Sequence, residues 1–257
     1  MRKYKGYIFD MDGVLYRGDT LIPGAVETLE ALRRRGSRLV FVSNNSTRSR
    51  EDYAERIAEL GLPIAEEEII PATYATARYL AERHAEARVF VVGALGLIKE
   101  LLEAGLRLVA EPEKADILVT GSDPAINYQK LSQATALLLA GKPWVTTNLD
   151  RLHPAEGRII PGAGAVVGAL QYVTRRAPDV VVGKPSRHIV EQALSKLGLA
   201  REECLIVGDI IESDILAGKN AGIDTALVLT GVVGREEVER SEIKPDYVLE
   251  SITELGE

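Results

Sequence analysis

Apolar and polar positions along this chain change rhythm at regular intervals. Short unbroken apolar runs rich in Val, Ile and Leu recur from end to end: RLVFVSNN, ARVFVVG, ADILVTG, KPWVTTN, DVVVGKP, ECLIVGD and DTALVLTG. A brief run without polar alternation is the pattern of a strand covered on both faces of a parallel sheet. Between these runs, apolar residues recur every three or four positions, as in GAVETLEALRRRG, SREDYAERIAELG, GLIKELLEAG, NYQKLSQATALLLAG, GAGAVVGALQYVTRR and SRHIVEQALSKLG. That period predicts amphipathic helices. Gly36, Gly61, Gly105, Gly141 and Gly198 stand where such helices should stop. Strand and helix in alternation predict βαβ units and an α/β fold with a doubly wound parallel sheet.

In such sheets ligands collect beyond the carboxyl ends of the strands, where the strand order reverses. The residues predicted at those ends are polar: Asp10-Met11-Asp12, Ser43-Asn44-Asn45, Gly183-Lys184-Pro185 and Gly208-Asp209. The first follows an apolar start in YIFDMDGVLYRG, where two aspartates and a glycine end a run that wants burial. Asp and Gly are ordinary turn residues, and a surface turn is the plain reading of that stretch alone. Polar residues recurring at one edge on separate strands point instead to a single convergent site.

Phosphoryl transfer uses this set of groups for stated reasons. A carboxylate can act as nucleophile and divide one displacement into two. Magnesium takes oxygen ligands, commonly one or two carboxylates together with phosphate oxygens. Charge on the transferring group calls for a lysine and for N–H or O–H donors. A second carboxylic acid can protonate the leaving oxygen and then deprotonate the attacking water.

Composition narrows the field further. The 257 residues are 46% hydrophobic and 27% charged, which suits packed cores, and both signs are mixed within a net charge of −7. That balance argues against a nucleic-acid partner, which would require a basic face. The single cysteine, Cys204, excludes an internal disulfide and a thiolate metal cluster, and its apolar run predicts a buried strand residue. No uncharged apolar run approaches the roughly 18 residues of a membrane span, and Asp10 and Asp12 interrupt the early apolar stretch. A cytoplasmic protein with no membrane partner is expected.

Spacing predicts a second domain. One helix and a return strand fill the interval from Asp10 to Ser43, whereas the interval from Ser43 to Lys184 holds far more chain than one crossover needs. The expected division is a discontinuous core of residues 1–80 and 180–257, with an α/β domain of residues 81–179 inserted in it. Within the insertion, Gly162-x-Gly164-x-x-x-Gly168 loosely echoes a dinucleotide fingerprint but lacks its acidic partner, so close backbone packing is the better account.

DMDGVL, SNNS, GKPS and GDIIESDILAG occur in that order. With them the chain resembles the haloacid dehalogenase-like phosphatases, in particular the NagD-like branch of 4-nitrophenyl phosphatases, over essentially its whole length. The resemblance implies a Mg2+-dependent phosphatase of small phosphorylated metabolites. Asp10 would be the nucleophile and a metal ligand; Asp12 would be the general acid and base, lending its carbonyl to the metal. Ser43 and the N–H of Asn44 would hold the phosphate, with help from Asn45, and Lys184 would offset negative charge. Asp209 would complete the metal's protein ligands, with Asp214 a more distant or water-mediated partner. Where some relatives carry an aspartate two residues before that position, this chain has Glu212, read here as a solvated residue. The resemblance also implies a large α/β cap that closes over the site, a substrate-contacting histidine at His153, and a homodimer formed through the cap. His84 and His188 lie in helix patterns and read as structural or surface residues.

Other readings stay open at this point. A non-hydrolytic phosphate- or nucleotide-binding module, or a phosphotransferase, would use similar groups. A receiver-type module would be one small domain, which the insertion opposes, and Cys204 has no flanking arginine for cysteine-based phosphatase chemistry.

Overall fold

In the computed structural model the first strand, β1 (Gly6–Asp10), is buried along its whole length, as its unbroken apolar run requires. A short hairpin, β2 (Tyr16–Arg17) and β3 (Thr20–Leu21), leads into α1 (Ala25–Arg34), which returns the chain to β4 (Arg38–Ser43). α2 (Arg50–Glu59), β5 (Ile69–Pro71) and α3 (Ala72–Arg83) follow. Then come β6 (Arg88–Val92), α4 (Leu95–Glu103), β7 (Arg107–Leu108), β8 (Ile117–Thr120), α5 (Tyr128–Leu139) and β9 (Trp144–Thr146). A hairpin, β10 (Leu152–Ala155) and β11 (Arg158–Pro161), precedes α6 (Ala163–Thr174) and β12 (Val180–Val181). The last stretch holds α7 (Arg187–Leu197), β13 (Cys204–Gly208), α8 (Leu216–Ala221), β14 (Asp224–Val228), α9 (Arg235–Arg240) and β15 (Tyr247–Leu249). The structure describes residues 1–155 and 158–256, and for 153–155 and 158 the backbone alone.

Two sheets organise the chain. The first has the order β15-β14-β13-β1-β4-β5, with β1 parallel to β4 on one side and to β13 on the other. The order therefore reverses between β1 and β13. The second has the order β12-β9-β8-β6-β7, every pair parallel, and reverses between β6 and β8. The five glycines predicted to end helices all adopt positive φ.

Each sheet has its own core. In the first, Phe9 stacks on Tyr7 and Phe41 with ring centroids 5.8 and 5.7 Å apart. Truncating a fully buried ring of this kind costs about 3–5 kcal/mol. In the second, Trp144 is fully buried and its indole N–H donates to Thr120 Oγ1 at 2.9 Å.

The chain divides into two units, Met1–Ser43, Tyr53–Ile70 and Lys184–Glu257 in one, Asn44–Asp52 and Pro71–Gly183 in the other. Two features differ from the pattern expected of the sequence. The DVVVGKP run forms only the short β12, and it pairs with β9 in the second sheet. Lys184 thus follows a strand of the inserted unit and precedes α7, whose N-cap Ser186 accepts from the His188 N–H. Residues 44–52, which follow the core strand β4, pack with the second unit as well. Gly162 and Gly164 lie against the backbone of Leu149 and Asp150, so close that a Cβ on either would overlap it. Close packing accounts for this Gly-rich helix start.

Candidate active site

The reversal between β1 and β13 brings Asp10 to the edge of the first sheet beside the loop that follows Gly208. Lys184, only 2% exposed, donates to Asp10 Oδ1 at 2.7 Å and to Asp214 Oδ1 at 2.6 Å. The other oxygen of Asp214 accepts from the N–H groups of Asp209 and Ile210 at 3.2 and 3.0 Å. Asp214 stands on a wide turn of π type, Ile211–Ile215, a distortion frequent at functional sites. Asp209 Oδ2 accepts from the Val232 N–H at 2.9 Å, whereas its Oδ1 is buried without a partner.

Asp10, Asp209 and Asp214 each place one oxygen within 4.8 Å of the others. Three buried carboxylates around one ammonium leave a deficit of positive charge, and buried charge without compensation is costly. Burial raises the Asp10 carboxyl well above the ordinary range, and Asp214 and Asp209 add to the rise against the pull of Lys184. Burial, then Asp214, pushes Asp209 up to about 7. Burial alone would depress the Lys184 ammonium, but Asp10 and Asp214 outweigh it and hold it above its ordinary value. An all-oxygen donor set, one oxygen of it buried and unpartnered, fits a divalent hard cation such as magnesium.

Glycines make the room. A Cβ at Gly208 would run into the side chain of Asp214, and one at Gly231 into Asp209. Gly13, at φ +80°, turns the chain directly after Asp12, and a Cβ there would also overlap Asp209. Thr230 Oγ1 donates to the Gly13 carbonyl at 2.8 Å, tying the end of the DTALVLTG run to this turn. Asp12 is half-buried; burial raises its carboxyl, opposed mainly by Arg56.

The remaining predicted residues are placed as follows. Ser43 ends β4, and its hydroxyl shares a 2.8 Å hydrogen bond with the buried Tyr53 hydroxyl. Asn44 is next along the chain; its side chain donates to Asp150 Oδ1 at 3.0 Å. Asn45 Oδ1 accepts from both the N–H and the hydroxyl of Thr47, at 2.9 and 2.7 Å, so that side chain shapes its own loop. Glu212 is exposed. His153 sits on β10 opposite Ile160, and its side chain lies outside the described residues. Sequence reasoning missed Tyr53, Gly231 and Val232. Of these, Gly231 was signalled by the turn that closes an apolar run.

Two parallel α/β units, one carrying an acidic cluster around a buried lysine at its switch point, define a doubly wound α/β protein with a second α/β unit inserted in its sequence. Residues 7–107 match the haloacid dehalogenase-like hydrolase family and residues 181–255 the HAD-hydrolase-like family. The chain is 46% identical to the p-nitrophenyl phosphatase from Archaeoglobus fulgidus, with a TM-score of 0.94 over 99% of both chains. It is 37% identical over 254 residues to a 5'-nucleotidase of Bacillus subtilis, across 99% of this chain and 98% of that one. The glycerol phosphate phosphatase of Mycobacterium tuberculosis, solved in complex with magnesium, is 32% identical with a TM-score of 0.91, over 98% of this chain and 76% of that one. The chain belongs to the haloacid dehalogenase-like hydrolases, in their NagD-like, 4-nitrophenyl phosphatase branch. No described helix is long and apolar enough to cross a membrane.

Proposed function

We propose that this phosphoric monoester hydrolase cleaves the phosphomonoesters of small metabolites, and 4-nitrophenyl phosphate, with magnesium and through a phosphoryl group carried on Asp10. The observation that carries this reading is the buried Asp10 carboxylate held by Lys184 beside an Asp209 oxygen that has no partner. A deprotonated Asp10 oxygen attacks phosphorus; the O–P bond to Asp10 forms as the bond to the ester oxygen breaks. Asp12, its carboxyl raised by burial, gives its proton to the departing oxygen. In the second half Asp12 takes a proton from water, the water oxygen attacks phosphorus, and the Asp10–phosphorus linkage breaks to free phosphate and restore the carboxylate.

The Ser43 hydroxyl and the Asn44 N–H hold the phosphoryl oxygens, and Lys184 keeps the nucleophilic oxygen aimed while offsetting its charge. Magnesium would be held by Asp10, Asp209 and the carbonyl of Asp12, and would supply charge neutralisation to the transferring group. Asp214, with both oxygens engaged by Lys184 and by backbone N–H groups, serves by fixing Lys184 and the Asp209 loop. The named relatives act on a nitrophenyl ester, a nucleotide and a glycerol phosphate. That spread supports a small organic phosphate as the substrate class. The test is phosphate release from 4-nitrophenyl phosphate by native protein and Asp10→Asn, with magnesium and with chelator. Turnover that needs magnesium and vanishes in Asp10→Asn is expected; turnover surviving in Asp10→Asn would remove Asp10 from its role.

A further inference from the structure

Residues 44–52 begin immediately after Ser43, yet their hydrogen bonds run to the inserted unit. Asn148, only 2% exposed, donates its side-chain amide to the Asn44 carbonyl at 2.6 Å. Asp150 Oδ1 accepts from the Asn44 side-chain amide at 3.0 Å. Asn44 is thus gripped at its carbonyl and at its side chain by two residues of one loop. That loop is itself fixed: the Asp150 N–H donates to Asn148 Oδ1 at 3.0 Å, and the Gly164 N–H donates to the Asp150 carbonyl at 2.9 Å. Gly183 completes the seat, because a Cβ there would crowd Asn44 Oδ1 and the Asn148 Cβ. Further along, Ser46 Oγ accepts from the Ser122 N–H at 2.9 Å, and Thr73 donates to the Arg48 carbonyl at 2.8 Å.

Resting on the proposed role of the Asn44 N–H as a phosphate donor, we propose that Asn148 and Asp150 are positioning residues for phosphate binding. A backbone N–H is aimed by the peptide plane that carries it, and that plane is set by what fixes the residue on either side. Ser43 is held at the end of β4, and Asn44, the next residue, is held by the Asn148–Asp150 loop. Neither residue touches the transferring group in this scheme. They remove the freedom that a polar loop would otherwise have, so the donor is set in place before the ligand arrives.

The test is the competitive inhibition constant of inorganic phosphate against 4-nitrophenyl phosphate, with magnesium, for native protein, Asp150→Ala, Asp150→Asn and Asp116→Ala. Asp150→Ala removes the acceptor and is expected to weaken phosphate about tenfold, the scale of one misaligned hydrogen bond. Asp150→Asn keeps an acceptor oxygen and is expected to restore most of that affinity. Asp116→Ala, which removes the Arg88 pairing elsewhere in the same unit, is expected to leave it unchanged. Phosphate binding equal to native in Asp150→Ala would overturn the positioning role. So would a loss in Asp116→Ala matching that in Asp150→Ala, because it would reduce the effect to general destabilisation. Native protein that neither turns over nor is inhibited by phosphate would instead overturn the phosphatase reading beneath it.

Discussion

The two large parallel sheets among the described residues share a winding pattern, and they differ in what stands at their switch points. Between β1 and β13 the chain presents Asp10, Asp209 and Asp214 around Lys184, with glycines that leave space for them. Between β6 and β8 it presents Gly93, Gly121 and Ser122, and the chain's own Ser46 is bonded to Ser122. Thr47, Arg48 and Ser49 lie so tightly against Gly96, in the first turn of α4, that a Cβ there would overlap their backbone. The same topology therefore yields an acidic cluster around a buried lysine in one sheet and a switch point filled by the chain's own backbone in the other. Topology offers a place, and side chains decide whether chemistry occurs there.

Each unit carries an ion pair on a buried carboxylate, and removing the lysine should separate them most sharply. Lys184→Met leaves Asp10 and Asp214 buried and unpaired, so turnover should disappear and stability fall by about 3–5 kcal/mol. In the inserted unit, Lys130 pairs with Asp123 at 2.7 Å but keeps 33% of its side chain exposed. Lys130→Met should cost about 1 kcal/mol. Urea titration of both variants reads the difference; equal losses would erase the distinction between the sheets.

Asp12→Asn removes the proposed proton donor and should lower turnover about 10²–10⁴-fold while the melting temperature holds. An unchanged rate would assign the proton to another group.

Glycines at matching strand ends sharpen the contrast. Gly208→Ala drives a Cβ into Asp214 and should weaken magnesium and turnover together, whereas Gly121→Ala meets Leu97 and Thr147 atoms only at 3.2 Å and should cost a small part of stability. Magnesium titration of activity in the two variants distinguishes them.

The smallest effect lies in pH. Asp209 folds with its carboxyl raised from 3.8 to about 7, so below about 4 its contribution to stability is complete. As pH climbs from about 4 through about 7, the unfolded chain releases that proton first, and the magnesium-free protein loses stability. Native protein in chelator should therefore lose melting temperature over that window relative to Asp209→Asn, and magnesium should recover it by mass action. A flat difference between the two proteins would count against the charge deficit.

The strand-end motifs were legible because each joins a non-alternating apolar run to a polar terminus, and the fold class follows from that same local pattern. What lay beyond the sequence was set by packing between distant segments. Val180–Val181 reads as a strand, but nothing local tells it to pair with β9. Asn148 and Asp150 are ordinary loop residues until tertiary structure brings residue 44 to them. Val232 enters the site through its N–H, a group every residue but proline owns, so no side chain could announce it.

Cys204 begins β13, fully buried where Gly6 leaves room for its sulfur, and burial followed by Glu203 and Glu202 pushes its thiol up to about 11. Such a thiol is covered, neutral and slow to meet peroxide or alkylating reagents. The proposed phosphoryl chemistry on Asp10 gives an oxidant no sulfur nucleophile to quench. Hydrogen peroxide at levels that silence thiol-dependent hydrolases should therefore leave this enzyme's turnover intact.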